Sequence, residues 1–482
     1  MHTQCKQQNF GFQDLGARSV VAAFDGGTIT SDGGALLLRE LEDRRRIVRQ
    51  FADCFTDHRD TGAIEFGLEQ LLAQRIFGIA LGYEDLNDHD VLRADPLLAT
   101  VVGASDPSGQ RRRRASDRGK ALAGKSTLNR VELRTGDVTK DKGYKKIEVH
   151  AERVADFFVT VFLQAHREVP RRIYLDLDAT DDPIHGHQEG RFFHGYYKGY
   201  CYLPLYIFCG DFLLAADLRE ANIDASKGAL EHVERIVAQI RRRWPGIEIV
   251  LRGDSGFCRE ELMGWCEQHE GVFYLFGLAK NSRLLAALEG EMEKAKIRHE
   301  ISEKPERVFG EFVYRTHDTW SRARRVIGKA EHLEKGANPR FVVTSLPYYD
   351  EDGRGEVVIQ DARHVYERLY CARGEMENRI KEQQLDLFAD RTSATLMKAN
   401  QLRLWLSSVA YVVLNEIRRV GLEGTKLAEA QCGTIRQKVL KIGARVRVSV
   451  RRVAVSLSSA YPYQDLFAHI YRKLMALESL RC

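Results

Sequence analysis

Three acidic residues stand where metal-assisted phosphodiester chemistry would need them. Asp178 closes the run Arg172-Ile-Tyr-Leu-Asp-Leu-Asp-Ala-Thr180, and Asp254 closes Ile249-Val-Leu-Arg-Gly-Asp-Ser-Gly256. Glu377 opens a stretch without Gly or Pro, Glu377-Asn-Arg-Ile-Lys-Glu-Gln-Gln-Leu-Asp-Leu-Phe388, after Tyr370-Cys-Ala-Arg-Gly-Glu-Met. Short runs rich in Ile, Leu and Val read as buried strands, and the third stretch reads as a helix. Two carboxylates at strand ends and one from a helix can hold a pair of divalent cations. Such a pair activates a water or a 3′-hydroxyl and stabilises the leaving oxygen in an in-line displacement. Mg²⁺, or Mn²⁺ in its place, suits an all-oxygen site that leaves positions for phosphate. The chemistry is that of a nuclease or a DNA strand transferase.

The elements that must position these acids follow from the pattern around them. From 150 to 282 the chain alternates strand (173–179), hairpin (200–209 and 212–218 across Gly210-Asp211), helix (225–244), strand (247–251), helix (260–269) and strand (272–278). That order is the order of a ribonuclease-H-like core, and it sets Asp178 and Asp254 on neighbouring strands. More than a hundred residues separate Asp254 from Glu377. The apolar alternation at 309–316, 324–330 and 340–346 predicts a β-rich insertion over 283–360, ahead of the last catalytic helix at 361–393. Helical patterns dominate residues 1–135, read as a DNA-binding or synapsis region. Residues 394–482 carry a long helix at 394–419, a basic alternating stretch at 444–456 and a final helix. The fold class expected is therefore α/β, with mainly helical flanking regions.

The stretches Leu175-Asp-Leu-Asp-Ala-Thr-Asp-Asp-Pro-Ile-His-Gly186, Phe193-His-Gly-Tyr-Tyr197, Arg252-Gly-Asp-Ser-Gly-Phe257, Gly277-Leu-Ala-Lys-Asn281 and Glu377-Asn-Arg-Ile-Lys-Glu382 carry a family likeness. The chain resembles the bacterial insertion-sequence transposases of the DDE type, in transposase DDE domain group 1 (the insertion-sequence 1380 family), from about residue 10 to the C-terminus. The resemblance implies binding of the element's inverted-repeat ends, strand cleavage there, and joining of the 3′-hydroxyls to target DNA, by a homodimer on DNA. It also implies a Tyr-x2-Arg-x3-Glu-x6-Lys signature, which Tyr370, Arg373 and Glu377 fit; Gln384 stands at the Lys position, with Lys381 one turn earlier. Arg373, with Lys381 and Lys280, is then a candidate phosphate contact. Some relatives place an aromatic residue in the insertion to stack on a flipped base, a role open to Trp320, as is an ordinary place in the core. The alternatives are a metal-dependent nuclease without strand transfer and a DNA-binding derivative without catalysis.

Several signals admit two readings. Period-2 alternation puts Asp176 and Asp178 on one strand face, so one can be a metal ligand and the other its support; the resemblance favours Asp178. His185, His187 and His194 follow closely, as positioning or DNA-contacting groups more than ligands. Gly119-Lys-Ala-Leu-Ala-Gly-Lys-Ser126 matches a P-loop letter for letter. A P-loop needs a buried strand before it, and Arg111-Arg-Arg-Arg-Ala-Ser-Asp-Arg118 is the opposite, so no nucleotide cofactor is expected.

Charge distribution separates the regions. The 482 residues carry a net +5, but from Arg391 onward 16 Lys and Arg face 5 Asp and Glu, a net of +11, leaving the rest near −6. A basic tail beside a carboxylate-rich core fits a polyanion, with Arg445, Arg447, Arg451 and Arg452 as phosphate contacts. Nine cysteines without a CxxC pair support neither a zinc knuckle nor a disulfide framework. The polar start Met1-His-Thr-Gln-Cys-Lys-Gln-Gln8 has no apolar secretory core, and 402–417 is too short and polar to span a bilayer. A bacterial cytoplasmic, nucleoid-associated place is expected.

Overall fold

A computed structural model of the chain describes residues 9–132, 146–351 and 357–478. The N-terminal octapeptide, and with it the reading of its polarity, lies outside the described residues, as does the end of the first region at 133–135. The chain divides into two compact units: one made of residues 1–148, 386–388 and 409–482, the other of 149–385 and 389–408.

The second unit is built on one mixed sheet. Its strands are β1 (Arg172–Ala179), β5 (Leu205–Cys209), β6 (Phe212–Asp217), β7 (Glu248–Gly253), β8 (Val272–Leu278), β9 (Glu306–Tyr314), β10 (Arg324–Leu333) and β11 (Arg340–Thr344). Between β1 and β5, β2 (Asp182–Pro183), β3 (Phe192–His194) and β4 (Gly199–Tyr202) form a small sheet of order β2-β4-β3. The main sheet runs β6-β5-β1-β7-β8-β11-β10-β9, and Gly336–Ala337 adds a short ninth strand beside β10. The first three strands are antiparallel neighbours, while β7 and β8 run parallel to β1. This is the ribonuclease-H-like arrangement. β1, β7 and β8 are largely buried on both faces and read as near-continuous apolar runs, as central parallel strands do.

The helices α1 (Ala151–Ala165), α2 (Ala229–Arg243) and α3 (Glu260–Gln268) contribute Phe162, Val233, Ile236, Ile240, Leu262 and Met263 to the core beside Leu175, Leu177, Ile249 and Leu251. The insertion's strands do not form a sheet of their own. β11 pairs antiparallel with β8 and carries β10 and β9 outward, so the insertion lengthens the core sheet. Gly310 and Gly328 face Leu288; a Cβ at Gly328 would sit 2.6 Å from its Cδ1, so the small residues admit α4 (Glu289–Ser302) against β9 and β10. The N-terminal half of the long helix α6 (Met397–Glu416) is tied to β6: Trp405 Nε1 donates to Ala216 O at 3.0 Å, and Gln401 Oε1 accepts from Leu218 N at 2.6 Å.

In the first unit an early segment of the chain pairs with a late one. Ile29–Thr30 pairs with Ala444–Val448, which pairs with Val453–Leu457, and Lys441 Nζ reaches Asp32 Oδ1 at 2.6 Å. The helix at Leu68–Ala80 is buried along most of its length and holds the Arg75–Glu132 ion pair at 2.5 Å. Among the described residues no helix is long and apolar enough to cross a membrane.

Candidate active site

The register of β1 against β7 decides where the acids meet. Arg252 lies opposite Asp176 and Gly253 opposite Leu177, so the next position on each strand is Asp178 and Asp254. Both therefore emerge at the carboxyl edge of adjacent parallel strands, where α/β sheets bind their ligands. Asp254 is half-buried, and its Oδ1 accepts Gly256 N at 2.8 Å, which turns the chain away from the strand. Asp178 has a side chain only 16% exposed.

Glu377 comes from α5 (Gly374–Lys381), the regular part of an irregular helical run. A π-helical stretch at Val365–Tyr370, a tight 3-10 turn at Cys371–Arg373 and a second π-helical stretch at Glu382–Asp386 flank it. Interruptions of this kind often lie at functional sites, and they make the run irregular where the sequence reads as one continuous helix. Arg373 links the acids: its Nη1 lies 3.4 Å from Asp178 Oδ1 and its Nη2 3.1 Å from Glu377 Oε1. Burial opposes the charge on Arg373, but Asp178, Tyr370, Glu377 and Asp254 outweigh it and hold the guanidinium above its usual range. Burial pushes Asp178 up to about 6; Arg373 opposes that rise, and the nearby charges of Asp254 and Glu377 add to it.

Asp176 is differently employed. Its side chain is 4% exposed and its two oxygens take both arms of Arg252, with Nη2–Oδ2 at 2.7 Å. Arg252 also donates to Leu369 O, and its guanidinium lies 5.1 Å from the Tyr174 ring centre. The pair thus ties β1 and β7 to the start of the helical run. Sequence alternation alone left Asp176 and Asp178 equivalent; the arginine across the ladder distinguishes them.

Tyr370 approaches closely because residue 277 is Gly: a Cβ there would lie 2.6 Å from the Tyr370 hydroxyl. A cleft of about 570 Å³ opens beside Asp254, lined among others by Ser255, Lys280, Arg340 and Tyr370. Lys280 and Lys381 are exposed. Gln384, at the position of the signature lysine, donates its amide to Asp181 O at 3.0 Å. Arg340 is a cationic lining residue that sequence reasoning missed; it sits in a strand with no motif around it.

Other candidates lie elsewhere. Trp320 is 4% exposed, packs edge-on against Tyr314 at 5.7 Å and lies under Arg324. It offers no face to a base, and the core reading is the one its packing supports. Arg445, Arg447, Arg451 and Arg452 are exposed on and around the 444–457 hairpin of the first unit. There a second cleft brings Arg451 and Arg452 beside Arg39 and Arg111. The Gly119–Ser126 segment follows a 3-10 turn, not a strand. Its amides are already engaged: Gly119 N with Gly109 O, Lys120 N with Asp117 O, Leu122 N with Arg93 O, Ala123 N with Gln74 Oε1.

Asp178, Asp254 and Glu377 fit hard divalent cations in donor chemistry, since all three offer carboxylate oxygens. In spacing, among the described residues no three His, Cys, Asp or Glu groups are gathered closely enough to grip a cation. Arg373 supplies the counter-charge between them in this arrangement.

Residues 12–479 match the family model described as transposase DDE domain group 1. Among solved structures, the chain is similar to the piggyBac transposase synaptic complex with hairpin DNA, at 11% identity over 94% of this chain and 83% of that one, with a TM-score of 0.40. No curated protein matches.

Proposed function

The chain belongs to the transposase DDE domain group 1 family, and on that premise we propose that Asp178, Asp254 and Glu377 are the catalytic acids of a DNA transposase. It binds the inverted-repeat ends of its element, cleaves there, and joins the 3′-hydroxyls to target DNA. The observation that carries the reading is the parallel register of β1 and β7, which brings Asp178 beside Asp254 at one sheet edge, with Arg373 linking Asp178 to Glu377.

Drawn closer together than they stand around Arg373, the three acids would hold two Mg²⁺ or Mn²⁺ ions, whose chemistry is to activate the attacking oxygen and stabilise the leaving one. The chain's own residues do the rest. Arg373 is poised to exchange its carboxylate partners for a phosphate oxygen, a bidentate recognition that guanidinium geometry favours. Tyr370, Lys280 and Arg340 line the cleft beside Asp254 and guide the strand that enters it. Asp176 and Arg252 act as positioning residues: they fix the depth of both strand ends, because reactive groups misplaced by 1 Å lose much of their rate. The exposed arginines of the 444–457 hairpin supply phosphate contacts that set affinity without reading sequence. Bringing two element ends together requires at least two copies, so the working form is a homodimer on DNA.

The test uses purified protein, Mg²⁺, a labelled end taken from the DNA flanking the reading frame, and a target plasmid. Cut ends and end–plasmid joints are expected. Cutting without joints would reduce the reading to a nuclease, and binding without cutting to a non-catalytic derivative.

A further inference from the structure

The small sheet that follows β1 exposes aromatic rings where burial would be the rule. Phe193 on β3 pairs with Tyr200 on β4, so both side chains rise from one face, with ring centres 5.7 Å apart. Phe193 is 59% exposed and Tyr200 49%. The Arg191 guanidinium lies over the Tyr200 ring at 4.7 Å. At the tip, Gly195–Lys198 makes the turn: Lys198 takes a left-handed φ of 54°, and Tyr196 stands 82% exposed.

This hairpin is anchored on its other side, which makes the exposed face a surface of a fixed element. Cys201 and Leu203 pack with Ala221 in a small core, and Glu189 N donates to Thr395 O at 2.9 Å. It is also joined to the candidate active site. Tyr196 packs edge-on against Tyr197 at 5.0 Å, and the Tyr197 hydroxyl donates to the carbonyl of Ala179, the neighbour of Asp178, at 3.4 Å.

We propose that the β3–β4 hairpin is a stacking platform for unpaired DNA bases next to the phosphodiester that is cut. The inference rests on the DNA-cleaving reading above and assigns its substrate a local form: bases free of their partners at the site. Rings interleaved with cations are what single strands require. Every base has a face on which a ring can stack, and Arg191 and Lys198 answer the phosphates between bases. A fully paired duplex keeps its base faces covered, so side chains projecting this way gain little from it. The charge favours a nucleic acid over an apolar protein partner, because the rings are flanked by cations on the face and at the tip.

The probe is a short oligodeoxythymidine carrying one 2-aminopurine, with the same strand annealed to its complement as control, and full-length protein in EDTA so that nothing is cut. Binding of the single strand should quench the fluorophore. Phe193→Ala and Tyr196→Ala should each weaken single-strand binding roughly 5- to 100-fold, with duplex affinity little changed. Tyr196→Trp should restore both quenching and affinity, and Tyr196→Leu should not. Both sites are exposed, so folding is spared; the Trp variant guards against a merely structural effect. Unchanged quenching in the double Ala variant overturns the proposal. So does an equal loss on duplex, or a changed sedimentation state with single-strand binding intact, which would make the face a contact between copies. Hairpin-dependent quenching in a protein that never cuts DNA would instead sink the catalytic reading; normal cutting with no hairpin dependence would sink this inference alone.

Discussion

Replacing Asp176 by Ala removes the carboxylate that holds both arms of Arg252 and leaves a guanidinium inside the protein. The two side chains are 4% and 8% exposed, so water screens the pair little. Breaking a buried pair from one side costs about 3–5 kcal/mol. Arg252 keeps the Leu369 carbonyl and the Tyr174 ring, which places the loss near the lower end, about 3 kcal/mol, or on the order of 100-fold in the folding equilibrium. With a urea dependence of about 3 kcal/mol per M, the midpoint of the unit holding β1 should fall by about 1 M. The readout is urea denaturation monitored by hydrogen exchange of β1 and β7 amides, alongside cleavage at a temperature where the variant is folded. Cleavage should be reduced but present. The double change Asp176→Leu with Arg252→Met should recover much of the stability, since replacing both partners leaves no orphaned charge. An Asp176→Ala protein as stable as the wild type, yet inactive, would contradict a supporting role and return Asp176 to the metal site.

Neutralising Arg445, Arg447, Arg451 and Arg452 should lower the slope of log affinity against log salt by roughly 0.9 per lost phosphate contact, so by 3–4 at most; an unchanged slope removes the hairpin from the DNA interface. Asp182 is 1% exposed, and burial, opposed by the Thr392 hydroxyl and reinforced by the charges of Asp390 and Asp181, pushes it up to about 8. Its folded pKa thus exceeds the unfolded value near 3.8, so the stability it contributes is full below pH 3.8 and lost as pH rises through 8. Melting curves from pH 5 to 9 should show Asp182→Asn gaining on the wild type as pH rises; parallel curves would contradict this. Lys125→Ala should alter DNA affinity at most, because the Lys125 amine is held by Asn87 Oδ1 at 3.0 Å; a requirement for ATP or GTP hydrolysis, abolished by this change, would reinstate the P-loop.

Asp178 and Asp254 were legible because each ends an apolar run, and an apolar run closed by a carboxylate leaves few places for that carboxylate but a sheet edge. The separate roles of Asp176 and Asp178 were not, since alternation gives them the same face and only Arg252, 76 residues away, tells them apart. The insertion's strands could be seen one by one, but their joining to β8 through β11 is a pairing between Leu275 and Thr344, which no local pattern encodes. The pairing of early and late segments in the first unit was hidden for the same reason: Lys441 and Asp32 are 409 positions apart. The exposure of the Phe193 and Tyr196 rings was not legible either, because residue type says that a ring favours burial and only tertiary packing says whether it is covered. The irregular helix around Glu377 was read as regular, because π-helical turns differ from α-helical ones in hydrogen bonding and not in residue type.

In the proposed function, Asp178, Asp254 and Glu377 act as one site. Asp178→Asn, Asp254→Asn and Glu377→Gln keep shape and remove ligand charge, so each should abolish Mg²⁺-dependent cleavage of an inverted-repeat end. Binding of that end should stay within a few-fold of wild type. Normal cleavage by any one of the three variants would contradict the account.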